Sequence, residues 1–407
     1  MAPKLIMQVP TNNPEHEPPT MKIPLTIALS LVTLGLVAQN ANVVNAYNYM
    51  QDGQLAKAVE YIEPATVDAK TGLSEKTWRY RGDIYRLICL GEDAALKAQF
   101  PEGIDRAIES YLKANELDTK GSYKKENNQA LLALQGASLN AGNDAFTAKD
   151  YDRAIARYAQ SERVAKAFGQ VDTNAVFNSA LAYESKGDDA NAIRRYREAL
   201  AAGYAKPEVF RYISSLQRKA NDLDGAITTA REGRAKFPGD KDLILDEMTY
   251  LLAANRSEEA EAMVKLALEN DPKNAVLWSV LGGLYDKKAA EATDETLMMQ
   301  WYAKAEEAYK KSIEMDAKFF DAYFNIGVLY NNRAASEYEK CNKIKADAEY
   351  MKCKSVADAT YLKAIPYFEQ AHVLNPEDVQ TMQQLMKLYA KTNDQEKYQQ
   401  MKTKLGQ

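Results

Sequence analysis

From Thr173 onward, small and apolar residues recur at helical spacing, and the whole pattern recurs 34 residues later. The stretch from Ala275 to Tyr285 sets the frame. With Ala275 as position 1, Trp278, Leu281, Gly282 and Tyr285 fall at positions 4, 7, 8 and 11. That spacing places them on one face of a helix. The preceding unit starts at Lys241, with Ala260 at position 20, Ala267 at 27 and Pro272 at 32. The unit from Pro207 has Phe210 at 4, Ala226 at 20 and Pro238 at 32. The unit from Thr173 has Ala180 at 8, Tyr183 at 11, Ala192 at 20, Tyr196 at 24 and Ala199 at 27. Positions 20, 24 and 27 make a second stripe, hence a second helix. Small residues at 8, 20 and 27 let two antiparallel helices approach, and large ones at 4, 11 and 24 fill the space between units. Proline at 32 stops the second helix. One such pair cannot bury its apolar face alone, so it must stack on neighbours.

The rest of the chain keeps the frame with departures. Ala46, Tyr49, Ala58 and Ala65 fit a first unit; Trp78, Gly82, Tyr85, Ala107, Tyr111 and Ala114 fit a second; Gly142, Ala154, Tyr158 and Ser161 fit a third. The third unit's first helix starts early, near Lys124, and runs through Phe146. Tyr323, Ile326, Gly327, Tyr330, Ala364, Phe368, Ala371 and Pro376 mark an eighth, and Leu385 and Tyr389 a ninth that then turns polar. A polar last unit suits the open end of a stack. Period, residue types and offsets resemble the tetratricopeptide repeat (TPR) from about residue 39 to 407. The resemblance implies an all-α fold, a right-handed superhelical solenoid of about nine helix pairs with helical insertions between the two helices of some units. The units lie near 39–72, 75–121, 124–172, 173–206, 207–240, 241–274, 275–319, 320–378 and 379–407.

Three units are too long. Positions 8 and 20 should stand twelve apart, yet Gly82 to Ala107 is 25, Gly282 to Ala305 is 23 and Gly327 to Ala364 is 37. All the extra residues fall at the turn between the paired helices, so they emerge from one edge. Gly91, Pro101 and Gly103 predict an irregular loop in the second unit. The Ala-, Lys- and Glu-rich inserts of the seventh and eighth predict helix extensions. In the eighth, a hairpin would project about 18 Å at 1.5 Å per residue, with its tip near residue 347 and Pro366 beginning or kinking the second helix. The seventh insert carries Leu297, Met298, Met299, Trp301 and Tyr302. It is either an adaptable docking patch or a surface packed on the next projection. The second is favoured, because exposed apolar patches of that size are uncommon.

The N-terminus carries an address. Met21 and Lys22 precede an apolar run from Ile23 to Ala38, followed by Gln39 and Asn40. This is the layout of a secretory signal peptide over 21–38, with cleavage after Ala38; the run falls short of the roughly 20 residues of a membrane-spanning helix. Residues 1–20 are proline-rich and polar. They are either a disordered leader or ahead of a true start at Met21, and His16 among them has no assigned role. The expected place is therefore the periplasm or cell envelope, with no integral membrane span after cleavage and peripheral envelope association left open. An oxidising compartment bears on the three cysteines. Cys341 and Cys353 are symmetric about residue 347; they form either a disulfide, which needs Cα atoms within about 7 Å, or two free thiols. Cys89 reads as a small buried apolar filler.

Composition removes other classes. With 52 basic and 57 acidic side chains the net charge is -5, against nucleic-acid binding. Two histidines and three cysteines are poor material for a metal site or for histidine catalysis. No nucleophile elbow, P-loop, dinucleotide loop or zinc motif occurs, so the expectation is no enzyme, no catalytic residues, no metal and no cofactor; His372 reads as a packing residue. The resemblance instead implies a protein-interaction scaffold that binds peptide or protein partners. First-helix positions 2, 5, 6, 9, 12 and 13 should face the groove, among them Asn140, Asn143, Asn178, Arg211, Tyr212 and Arg218. A structural subunit docking through its projecting inserts is the alternative, and a carbohydrate or small-ligand receptor is a weaker one. The family's clamp for a peptide's terminal carboxylate is not supported, because only Asn143 matches it and the lysines are absent.

Overall fold

The computed structural model describes residues 41–406, all of whose regular structure is helical. The segments read as leader and signal, 1–20 and 21–38, lie outside them. The chain divides into two compact units between Asp188 and Asp189, inside the repeat at 173–206. The first unit holds α1 (41–51), α2 (Leu55–Val67), a 3₁₀ turn at Thr71–Leu73, α3 (Glu75–Leu90), α4 (Ala94–Gln99), α5 (Gly103–Leu117), α6 (Lys124–Thr147), α7 (Tyr151–Ala167) and α8 (Thr173–Lys186). The second holds α9 (Asp189–Ala201), α10 (Pro207–Lys219), α11 (Leu223–Lys236), α12 (Lys241–Ala253), α13 (Ser257–Asn270), α14 (Ala275–Glu291) and α15 (Glu295–Met315). It continues with α16 (Phe320–Cys341), α17 (Asp347–Leu362), α18 (Ile365–Leu374), α19 (Val379–Lys391) and α20 (Gln395–Lys404).

Local chemistry fixes the helix ends. Asp150, Asp172, Asp222, Asp240, Asp294, Asp378 and Asp394 each stand just before a helix, and each side chain accepts a hydrogen bond from a backbone N–H of the first turn. Those N–H groups have no partner inside the helix, which is why acidic caps are favoured. The turn between paired helices uses a left-handed residue at repeat position 15. It is Gly53, Gly187, Asn221, Asn255 or Asn393, and in the third repeat Lys149. Glycine and asparagine tolerate that conformation better than other residues.

Small and large side chains interlock as the repeat pattern requires. In the first unit Ala46, Ile62, Ile84, Ile108, Tyr111 and Leu131 form a buried cluster. In the second, one cluster runs from Ala226 through Tyr309 and Phe368 to Met401. The inserted stretches depart from the frame in three ways. The second repeat's insert contains the expected irregular segments, at 91–93 and 100–102, with a short helix, α4, between them. The seventh lengthens α14 and α15. The eighth makes α16 and α17 a hairpin, and α18 then starts afresh with Pro366 in its first turn, where the missing N–H costs nothing. The hairpin turn spans 342–346, a few residues before the predicted tip. Cys341 and Cys353 are disulfide-bonded across it, with Cα atoms 5.5 Å apart. Of the aromatic insert, Tyr302 is buried, Met298, Met299 and Trp301 pack on the core, and Leu297 is exposed. Met298 Sδ accepts from Ser336 Oγ of α16 at 3.7 Å, so this surface is largely covered by the neighbouring projection.

Candidate functional site

The first helix of each pair leaves one polar face uncovered, and consecutive first helices are linked across it. In the first unit Tyr47 of α1 stacks on Tyr80 of α3 with ring centroids 4.7 Å apart. Asn143 of α6 accepts from both Asn178 of α8 and the Tyr158 hydroxyl, at 3.0 Å each. In the second, the Arg211 guanidinium on α10 pairs with Asp242 and Asp246 of α12, the latter at 2.8 Å. On α16 and α19, Asn331 donates to Gln384 at 3.1 Å.

Each unit has a notch on this face. In the first, a cavity of about 520 Å³ opens between α3 and α6, with Arg79, Asp83, Arg86, Tyr123 and Asn127 on its wall. Tyr111 donates to Asp83 at 2.7 Å and accepts from Arg86 at 3.0 Å. The Arg79 guanidinium sits 4.0 Å from the centre of the Tyr123 ring. Asn127 is buried, and its side-chain oxygen has no partner. In the second unit, a cavity of about 360 Å³ lies between α16 and α19, lined by Asn331, Asn332, Tyr361, Gln384, Lys387 and Lys391. Lys391 rests 3.6 Å from the Tyr361 ring centre and 4.2 Å from that of Tyr338. Desolvation there lowers its pKa, with Lys354 adding to the effect and Asp358 opposing it. The Asn331 side-chain oxygen is buried without a partner. One repeat back, burial pushes the Asp286 carboxyl up to about 6, against the pull of the Asn332 amide.

Residues 217–284 match the family described as tetratricopeptide repeat. The helix pairs on either side repeat the same positions 8, 11, 20 and 24. This segment is tetratricopeptide repeat. No curated protein matches the sequence. Among solved structures, the C-terminal part of a TPR repeat-containing protein from Cytophaga hutchinsonii is 14% identical, with 66% of this chain and 93% of that one covered at a TM-score of 0.45. YrrB, described as a TPR protein with an unusual peptide-binding site, is 19% identical, covering 53% and 97% at 0.36. MamA from Desulfovibrio magneticus RS-1 is 14% identical, covering 48% and 94% at 0.34.

The six groove positions named from sequence fall three in each unit. Asn143 and Asn178 meet, and Asn140 is exposed one turn earlier on α6. Arg211 is engaged by two aspartates. Tyr212 stacks on Tyr196 of α9 at 5.4 Å, and Arg218 is exposed in the last turn of α10. The notches instead use Arg79, Asp83 and Arg86, and Asn331, Asn332, Gln384, Lys387 and Lys391. These occupy the same positions 5, 6, 9, 12 and 13 of the second, eighth and ninth repeats. The inserted segments begin after position 13, so the positional rule applies to these repeats as well. His372 packs against α20, its Nε2 2.8 Å from Lys404 Nζ, and burial lowers its pKa.

Proposed function

We propose that this TPR chain is a non-catalytic protein-interaction scaffold whose first-helix face takes an extended peptide or a partner segment. The notch between α16 and α19 carries the reading. It combines amides that can bond a peptide backbone in both directions, a buried oxygen without a partner, and two lysines suited to acidic or carbonyl groups. Such a constellation recognises main chain first and charge second. The test is capture of partners by the full chain with Lys387→Glu and Lys391→Glu together. Charge reversal should abolish capture while leaving the helical circular dichroism unchanged. Retention of every partner by this variant would sink the reading.

A second reading has its own support. On α17, Met351, Val356 and Leu362 are 60%, 57% and 50% exposed. A structural subunit docking through this projection would lose assembly when the three become serine, and would tolerate the lysine reversals. We further infer export to the periplasm or envelope from the apolar run at 21–38. Fractionation with intact-mass analysis should find a mature chain starting at Gln39.

A further inference from the structure

The insertion in the second repeat builds a cavity that a regular repeat would lack. It has about 500 Å³ and lies where α3, α4 and the start of α5 meet α6 and α7, away from the first-helix notches. Phe100, Pro101, Ile104, Ala141 and Cys89 give it apolar walls. Lys97, Arg153 and Arg157 supply three cations, and no carboxylate lines it. The size is that of a small-molecule site.

Arg157 is the unusual member. It is half-buried, and its guanidinium donates to Gln160 Oε1 at 3.0 Å and the Pro101 carbonyl at 3.4 Å, both neutral. Three arginines on α3 and α5 are paired with carboxylates: Arg81 with Glu63 and Glu109, Arg79 with Glu75, Arg106 with Glu102. Burial pulls the Arg157 pKa down, whereas those of Arg79, Arg86 and Arg106 are raised. Asp105 of α5 is the carboxylate that acts on it through space, but it makes no ion pair with it. A second cation, Arg153, stands one turn away on α7. Arg153 and Lys97 are exposed, and a half-buried guanidinium beside a like charge is unfavourable without an ion-paired carboxylate. Departures of this kind collect at functional sites.

We propose that this cavity binds a small organic acid, its carboxylate held by Arg157, Arg153 and Lys97 and its apolar body laid against Phe100, Pro101 and Ile104. Guanidinium groups suit a planar carboxylate. The site is independent of the peptide-binding reading, so variants at Lys387 and Lys391 should leave it intact.

The test is calorimetric titration of the full chain with octanoate, with inorganic phosphate, 1-octanol and a short peptide ending in leucine as comparisons. Octanoate should bind saturably at one site, and phosphate and octanol should not. Arg157→Gln should weaken it at least about ten-fold. Ala141→Trp, which fills the cavity while leaving its three cations in the sequence, should do the same with helical content unchanged. Cys89 is the free thiol among the described residues. Octanoate should slow its alkylation in the parent chain and not in Arg157→Gln. Absence of saturable octanoate binding, or binding that survives both variants, would overturn the proposal. Equal binding of phosphate would replace it with an oxyanion site, and equal binding of octanol with an uncharged apolar one. Tighter binding of the peptide would move the ligand to a polypeptide terminus.

Discussion

Four position-8 glycines each face an aromatic ring at position 24. A Cβ on Gly82 would stand 3.0 Å from Tyr111, on Gly142 2.5 Å from Tyr158, on Gly282 2.7 Å from Tyr309 and on Gly327 2.9 Å from Phe368. These rings are buried, so they have little room to give. Gly136, in the middle of α6, has nothing within 4 Å of such an atom. Two opposing effects are therefore separable. Gly136→Ala should stabilise by about 0.5–1 kcal/mol through helix propensity alone. Gly282→Ala gains the same propensity but overpacks the core by about 1–3 kcal/mol, so it should destabilise on balance. Urea midpoints for the two variants check this, and a shift in the same direction for both would refute the packing account. This small-against-large register was legible in the sequence, because period and residue size alone carry it. The left-handed turn at position 15 was equally available from Gly53, Gly187, Asn221, Asn255 and Asn393. It passes unnoticed when attention rests on apolar stripes, and Lys149 breaks it. Lys149→Gly should relieve the strained backbone there and raise stability by about 0.5–1 kcal/mol in the same assay.

Between elements, polar links supplement the apolar register. Glu247 of α12 is 1% exposed and accepts from Arg231 at 2.8 Å and Arg234 at 2.6 Å, both on α11. Arg231 also pairs with Glu259 of α13. Three consecutive helices are thus tied through Arg231, which joins the buried Glu247 of α12 to Glu259 of α13. Glu247→Gln would leave Arg234 without a charged partner and should cost about 2 kcal/mol, less than for a fully buried pair because both arginines reach solvent. A smaller double-mutant coupling for Arg234 with Glu247 than for Arg231 with Glu247 would contradict this assignment. Sequence reasoning did not reach such links: they join side chains 13 to 28 residues apart on faces that read as ordinary solvated helix surface. It also missed α4, whose six residues are too few to show a periodicity. The lengths and places of the inserts were readable, because a displaced repeat landmark measures them directly. What the inserts enclose was not, since the cavity beside Arg157 depends on how the segment from Lys97 to Pro101 meets α7.

Across the molecule, tyrosine hydroxyls decide how stability should respond to base. Tyr85 donates to Glu63 at 2.7 Å in the first unit, and Tyr389 to Glu369 at 2.9 Å in the second. Burial first, and then the neighbouring carboxylate, raise the pKa of Tyr85, Tyr330 and Tyr389 well above that of a free phenol. Tyr111 and Tyr309 move the same way for the same leading reason. A folded value above the unfolded one means the native state holds its proton longer. Their stabilising contribution is therefore complete below the unfolded phenol value of about 10 and is lost as pH rises through the folded values. Asp286 adds an effect of the same sign in acid. Its carboxyl titrates near 6 when folded and lower when unfolded, so acidifying from above 6 towards the ordinary carboxylate range should first strengthen the second unit. Glu259 runs the other way: its ion pairs with Arg256 and Arg231 hold it down to about 2, and its contribution fades as pH falls below the ordinary glutamate range. The acid limb should accordingly rise and then fall, while the alkaline limb only falls. Asp286→Asn isolates the first part. It should raise stability at neutral pH by about 1 kcal/mol, reduced by the carboxyl's partial exposure, and flatten the rise on acidification. Urea midpoints of parent and variant across the pH range read both limbs. An acid rise unchanged in Asp286→Asn would show that a different group carries it, and a midpoint unchanged above pH 10 would show that the tyrosines titrate without unfolding cost.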